Sequence, residues 1–313
     1  MSKTLTTIAV VALCVMALAL CTGPSGFDLE LIDLRWTRVV LGALAGSALA
    51  VTGCTLQAVM RNPLADPFVL GVSGGAAAFG SAAIVFLPFA NFFVTPLAAF
   101  VGAMLVSVSL LYFLKREDEQ GRDRALLLGI AINAFASSFI TVIKTLAPMR
   151  DTQTLLFWLI GGIGYVDKVW LLAALAFSMV CLGILWSRSR ALEILKLGDD
   201  EAFRLGVNIA QEKRLIYVAA SCLVGICVSM CGMIAFVGLT TPHILRPFVG
   251  TRERELLPAS ALLGIILVTG VDTLSRLSYG IFGTELPVGA LLALLGAPFF
   301  VWILCKRGSH AHA

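Results

Sequence analysis

Apolar runs close to 20 residues long, set off by short charged or Pro/Gly-rich stretches, recur along this chain and limit what it can fold into. A helix rises about 1.5 Å per residue, so about 20 apolar residues match the roughly 30 Å hydrocarbon core of a bilayer. Such runs cover 5–20, 36–60, 71–86, 93–114, 125–147 and 169–186. A charged segment at 187–214 follows, then an apolar stretch at 215–249 whose 35 residues exceed one ordinary span. Gly238 and Pro242 offer places to break it, which predicts a helix up and a shorter helix down. Runs at 256–274 and 286–305 bring the expected spans to ten.

Composition supports this reading and excludes soluble folds. Of 313 residues, 59% are hydrophobic and 13% charged, with a mean hydropathy of +0.95. A soluble domain is about a quarter charged, so this chain lacks the polar side chains for a water-facing shell. The expected class is all-α and polytopic, a single transmembrane domain over 1–313. The first run ends in Leu18-Ala19-Leu20-Cys21, which looks like a lipoprotein cleavage box, but Leu20 is too large for such a site. An uncleaved first span is expected.

The formal net charge of +4 is too small to imply a polyanionic partner, but its distribution sets an orientation. Of 23 Lys and Arg, Arg35, Arg38, Lys144, Arg150, Lys168 and Arg276 fall on one side, and the other 17 on the side holding both termini. The positive-inside rule makes the second side cytoplasmic. Eight cysteines, at 14, 21, 54, 181, 222, 227, 231 and 305, lie almost entirely in apolar runs without a CxxC. They read as packing residues, and no metal or cofactor is expected.

There is no GxxxxGK[ST] phosphate loop, no HExxH and no GxSxG. Ion-coupled carriers need ionisable groups within the membrane, and the span interiors are nearly free of them. Asp272 and Lys144 lie near helix ends, and His243 falls in the expected helix break. An ion-coupled carrier would rest on Asp272 or Lys144, and a membrane-embedded enzyme on His243. Energy supplied by a separate chain fits the sequence better than either.

Two segments are more polar than a plain bundle requires. In Arg61-Asn62-Pro63-Leu64-Ala65-Asp66-Pro67, two prolines end the helix, and Asn62 and Asp66 can hold the freed backbone, as a rigid turn or part of a gate. In 187–214, a short helix over 191–197 is stopped by Gly198. Asp199 can cap a second, and Gly206 can close it after Leu205. Asn208 with Gln211 then makes a cap for the next span. These short helices carry Leu192, Leu195, Ala202, Phe203 and Leu205, and breaks by glycine suit docking to a cytosolic partner better than lying on lipid. On the outer side, Arg35 and Arg38 sit one turn apart and Arg276 ends a later span. They would anchor helix ends, or meet an acidic protein surface.

These residues resemble the FecCD and vitamin B12 type permeases of bacterial binding-protein-dependent ABC importers. The likeness runs from about 35 to 306 through Arg35-Trp36-Thr37-Arg38, Gln57, Asn62-Pro63-Leu64-Ala65-Asp66-Pro67 and Leu70-Gly71-Val72-Ser73. It continues through Trp158 with Gly161-Gly162, Leu197-Gly198-Asp199 and Leu205-Gly206. Phe236-Val237-Gly238-Leu239, Pro242-His243-Ile244-Leu245-Arg246, Glu285-Leu286-Pro287-Val288-Gly289 and Leu295-Gly296-Ala297-Pro298-Phe299-Phe300 complete it.

The resemblance implies a ten-helix, type II ABC importer permease in the bacterial cytoplasmic membrane. It would pair with a second copy or a paralogue, with the substrate path between the two. Two ATPase subunits would dock at the positions matching Leu197, Gly198, Asp199, Ala202, Leu205 and Gly206. A periplasmic or surface-tethered binding protein would deliver a ferric siderophore, cobalamin or haem, its acidic residues meeting Arg35, Arg38 and Arg276. Asn62 and Leu64 match positions that close the inner end of the path. By their place on the fifth span, Asn133, Ser137, Ser138 and Thr141 are lining candidates. The family usually has proline between the two outer arginines, where this chain has Thr37.

Overall fold

Long apolar runs without internal breakers propagate as helices, because in hydrocarbon every backbone N–H and C=O must be satisfied within the segment. The structure, a computed structural model, describes residues 3–23, 26–27, 32–87, 93–114 and 119–308. Helix α1 (Lys3–Cys21) leads into a two-residue antiparallel pair, β1 (Thr22–Gly23) and β2 (Gly26–Phe27). Then follow α2 (Ile32–Val59), α3 (Val72–Phe86), α4 (Val94–Leu114), α5 (Glu119–Leu146), α6 (Met149–Ile160) and α7 (Lys168–Ser187). Two short helices, α8 (Ser189–Leu195) and α9 (Asp199–Arg204), precede α10 (Ile209–Cys231), α11 (Val237–Val249), α12 (Glu253–Phe282) and α13 (Val288–Gly308).

Seven helices (α1, α2, α4, α5, α7, α10 and α12) hold a segment long and apolar enough to cross a membrane, and α3 and α13 are shorter apolar helices. With the half-length α11 they fit the expected ten. Residues 115–118, whose Lys115 and Arg116 belong to the basic side, lie outside the described residues. The end of the bundle where α2 finishes and α8 and α9 lie is termed lower; the end where α1 meets β1 is upper.

Helix α2 is the axis: 89% of its apolar window is buried, against 11% for α1 and 17% for α5. Lipid gives no hydrophobic drive between helices, so contact depends on small residues that let backbones touch. Gly46 of α2 lies against the backbone of Gly264 in α12, Gly53 against Gly238 in α11, and Gly75 of α3 against Gly102 in α4. A Cβ at any of them would overlap main-chain atoms. With Thr37 in place of proline, α2 also runs back to Ile32, beyond both arginines.

The break in 215–249 lies upstream of the expected one. Helix α10 ends at Cys231, the chain passes through Gly232 (φ +67°), and α11 begins after Phe236 (φ +68°). Gly238 and Pro242 are inside α11. Proline is tolerated there because the carbonyl it leaves free, that of Gly238 one turn earlier, receives the Gln57 amide at 3.4 Å. His243 likewise sits within α11, its Nδ1 2.8 Å from the Leu239 carbonyl, rather than in a break. Non-helical backbone deep in the bundle is satisfied by partners of its own kind: Gly162 N–H donates to Cys231 O at 2.9 Å, and Gly289 N–H to Gly161 O at 3.1 Å. The short helix α6 was not expected; it lies in what the sequence reads as an outer loop, between Pro148 and Gly161 (φ +78°).

Candidate functional site

The polar and docking features concentrate at the two ends. At the lower end, the apolar side chains of α8 and α9 divide into two groups. Leu192, Leu195 and Ala202 point inward and are buried, fastening the helices to the bundle. Leu197, Phe203 and Leu205 are 62%, 75% and 61% exposed. The sequence groups Ala202 with the contact residues; at zero exposure it is instead part of the anchor.

Local chemistry fixes this shape. Gly198 (φ +134°) occupies the cap position of α9, so Asp199 is the first helical residue rather than the cap, and its carboxylate receives Lys213 at 2.7 Å. A Cβ on Gly198 would collide with the Glu201 carboxylate and stand 3.3 Å from the Arg61 guanidinium. Gly206 (φ +80°) closes α9 with paired bonds, Val207 N–H to Ala202 O and Gly206 N–H to Phe203 O. Asn208 caps α10 by accepting from Gln211 N–H at 3.1 Å, as its spacing predicts.

Beside this platform is the turn between α2 and α3. Asn62 Oδ1 accepts from Leu64 N–H and Asp66 Oδ1 from Phe68 N–H, both at 2.9 Å, so both side chains hold the freed backbone as expected. Leu64 is exposed, and Arg61 takes a left-handed conformation (φ +48°). Asn133 is partly exposed, and its Nδ2 donates to Phe68 O at 2.6 Å and ties α5 to the turn. Ser137, Ser138 and Thr141 are exposed on α5. The Ser138 and Thr141 hydroxyls donate to carbonyls one turn back, at 3.0 and 2.8 Å.

Asp66 is buried in that turn, outside either helix, with Oδ2 3.1 Å from where a Gly238 Cβ would stand. Burial pushes its carboxyl up to about 6, offset in part by the Phe68 N–H. Between the ordinary carboxylate value and about 6, the folded protein keeps a proton that the unfolded chain has released. Stability therefore falls as pH rises through that window. Asp66→Asn keeps the acceptor for Phe68 and never ionises, so it should stabilise the protein at pH 7.5 by up to roughly 3 kcal/mol. Melting temperatures in detergent should diverge between pH 4 and 7.5; parallel curves for the two proteins would refute the assignment.

At the upper end the three arginines form a cluster in which Arg35 and Arg276 are buried, which fits the helix-end anchors the sequence allows and not arginines open to an acidic surface. Arg35 is 7% and Arg276 2% exposed. Arg35 Nη1 donates to Cys21 O at 3.1 Å, and Arg276 Nη1 to Thr22 O at 2.9 Å, covering carbonyls that the end of α1 leaves free. Arg276 Nε lies 3.1 Å from Asp272 Oδ2. Arg38 Nε donates to Asp272 Oδ1 at 3.0 Å and its Nη2 reaches Glu285 at 2.8 Å, leaving Arg38 alone of the three partly in solvent. The carboxylates were not singled out by the sequence as partners, since each lies over 230 residues from Arg38; an Asp inside an apolar run was the available signal.

A bundle of crossing helices, seven of them long and apolar enough to span a bilayer, with two surface helices at one end, is a polytopic membrane protein. The pattern of the FecCD transport family matches residues 4–306, and the chain belongs to that family. It is 36% identical to the hemin transport system permease protein HmuU of Yersinia pestis over 88% of this chain and 83% of that one. It is 33% identical to the iron-uptake system permease protein FeuC of Bacillus subtilis (90% and 85%). Identity to the cobalamin import system permease protein BtuC of Halobacterium salinarum is 35% (88% and 73%). A solved structure, described as a metal-chelate type ABC transporter in an inward-facing conformation, superposes with a TM-score of 0.87 at 27% identity, covering 97% of this chain and 99% of that one.

Proposed function

We propose that this chain is the permease subunit of an ABC importer for a metal chelate, working with a second permease subunit, two ATPase subunits and a substrate-binding protein. One observation carries the reading. Three large apolar side chains, Leu197, Phe203 and Leu205, stand exposed on a glycine-bounded platform otherwise rich in charge. Such side chains clustered among charged residues mark a protein contact rather than a lipid face. The whole of 1–313 then acts as one transmembrane domain, with 187–214 as its coupling segment and both termini in the cytoplasm.

The exposed hydroxyl face of α5, with Ser137, Ser138 and Thr141, lines the path against the second subunit. Asn62 and Leu64 belong to its inner closure. At the outer end Arg38 is the residue of the cluster placed to meet an acidic partner. The cargo is a ferric siderophore; cobalamin and haem are the alternatives, and the identities to relatives named for iron, cobalamin and hemin do not rank them.

Reconstitution in liposomes tests the proposal. Uptake of a radiolabelled ferric siderophore should require ATP, the ATPase subunits and the binding protein, and should survive collapse of the proton and sodium gradients. Full-rate uptake without the ATPase, or uptake abolished by an ionophore, would establish an ion-coupled carrier instead. Uptake of cobalamin or haem in place of the siderophore would keep the importer and change its cargo.

A further inference from the structure

The first turn of α12 gathers contacts that nothing above uses. Glu253, its first residue, is fully buried, and its carboxylate forms an ion pair with Lys196 at the end of α8. Lys196 also donates to Thr251 O at 3.1 Å, and Cys54 Sγ of α2 donates to Glu253 Oε2 at 3.2 Å. Pro258, inside α12, leaves the Arg254 carbonyl without its helical donor, and Trp186 Nε1 at the end of α7 supplies one at 3.3 Å. The segment around α8 is thus fastened, through Trp186 before it and Lys196 at its end, to the start of α12 and the chain turn at 251–252.

From Glu253 to Arg276 α12 spans 23 rises, about 35 Å, the depth of the bundle. At its far end Asp272 and Arg276 hold Arg38 and the β1 carbonyl of Thr22. One helix therefore joins the platform at the lower end to the charge cluster at the upper end.

We infer that Glu253, through Lys196, is a positioning residue that delivers displacement of the α8–α9 platform along α12 to the upper end, so that events at the two docking ends are coupled. The inference rests on the reading of that platform as the ATPase dock. It separates binding of the ATPase, which belongs to Leu197, Phe203 and Leu205, from transmission, which belongs to the Lys196–Glu253 pair.

The test uses the assembled transporter in liposomes with its binding protein and compares Glu253→Gln, Lys196→Gln and Lys196→Arg with the native chain. In both glutamine variants the melting temperature should fall, because a buried ion pair is broken, but the ATPase should still co-purify and basal ATP hydrolysis should persist. Stimulation of hydrolysis by the loaded binding protein should fall about fivefold or more, the low end of ordinary coupling between sites. Lys196→Arg, which keeps the charge, should retain stimulation. Lys196 reaches solvent, so its variants decide the matter if Glu253→Gln fails to fold. Full stimulation in Lys196→Gln, or equal loss in the glutamine and arginine variants, would overturn the inference. Loss of ATPase binding in Lys196→Gln would also overturn it, by showing that the pair only shapes the dock. Failure of the native chain to retain any ATPase would instead overturn the reading of the platform itself.

Discussion

Asp272→Ala will cost this permease about 3–5 kcal/mol, the usual effect of removing one partner from a buried ion pair. Asp272 is 1% exposed and serves two arginines at once, receiving Arg38 at 3.0 Å and lying 3.1 Å from Arg276. Without it, Arg276 stays buried with only the Thr22 carbonyl, the Thr273 hydroxyl and the Glu285 carboxylate to balance its charge, and α12 loses its ion pair to Arg38 of α2. Folded yield and melting temperature in detergent should both fall sharply. Glu285→Gln removes the more exposed partner of Arg38 and should cost no more than about 1 kcal/mol. Equal effects from the two substitutions would mean that the cluster is no more than a set of surface charges.

The second large effect is expected on assembly and not on stability. Phe203→Glu or Leu205→Glu places a charge where a large apolar side chain now stands exposed, so the isolated permease should melt as before. If these side chains enter a cleft of the ATPase, each substitution should weaken association by at least about 2 kcal/mol, roughly 30-fold. Co-purification of the ATPase from detergent extracts reads this directly. Retention of the ATPase at native levels by both variants would remove the platform from the docking surface. Ala202 offers the contrast: it is buried, and a bulky residue there should lower the melting temperature first.

Much of this was legible because bilayer physics is local. Span length, the distribution of basic residues, and the capping residues Asn62, Asp66, Gly206 and Asn208 each act within a few positions in sequence. The expected turn and the cap of α10 are found as read. The close contacts of Gly46 with Gly264 and of Gly75 with Gly102, by contrast, are set by packing between helices.

The misplaced features share one cause. Pro242 looked like a helix break because its missing hydrogen bond is visible in sequence, whereas the donor that compensates, Gln57 on another helix, is not. Arg35 and Arg276 looked available to a partner because the carbonyls they cover, at Cys21 and Thr22, carry no side-chain signature.

By itself, then, the sequence determined that the chain crosses a membrane many times, and where several of its helices are capped. It also shows no GxxxxGK[ST] phosphate loop. Only the tertiary structure decided which polar groups are spent within the protein and which face outward. In a low-dielectric interior every charge and freed carbonyl must find a partner, and that partner is chosen by helix packing rather than by position in the chain. The exposed trio Leu197, Phe203 and Leu205 and the buried Glu253 with its partner Lys196 lie within 60 residues of one another, yet packing alone leaves the trio in solvent and takes Glu253 out of it.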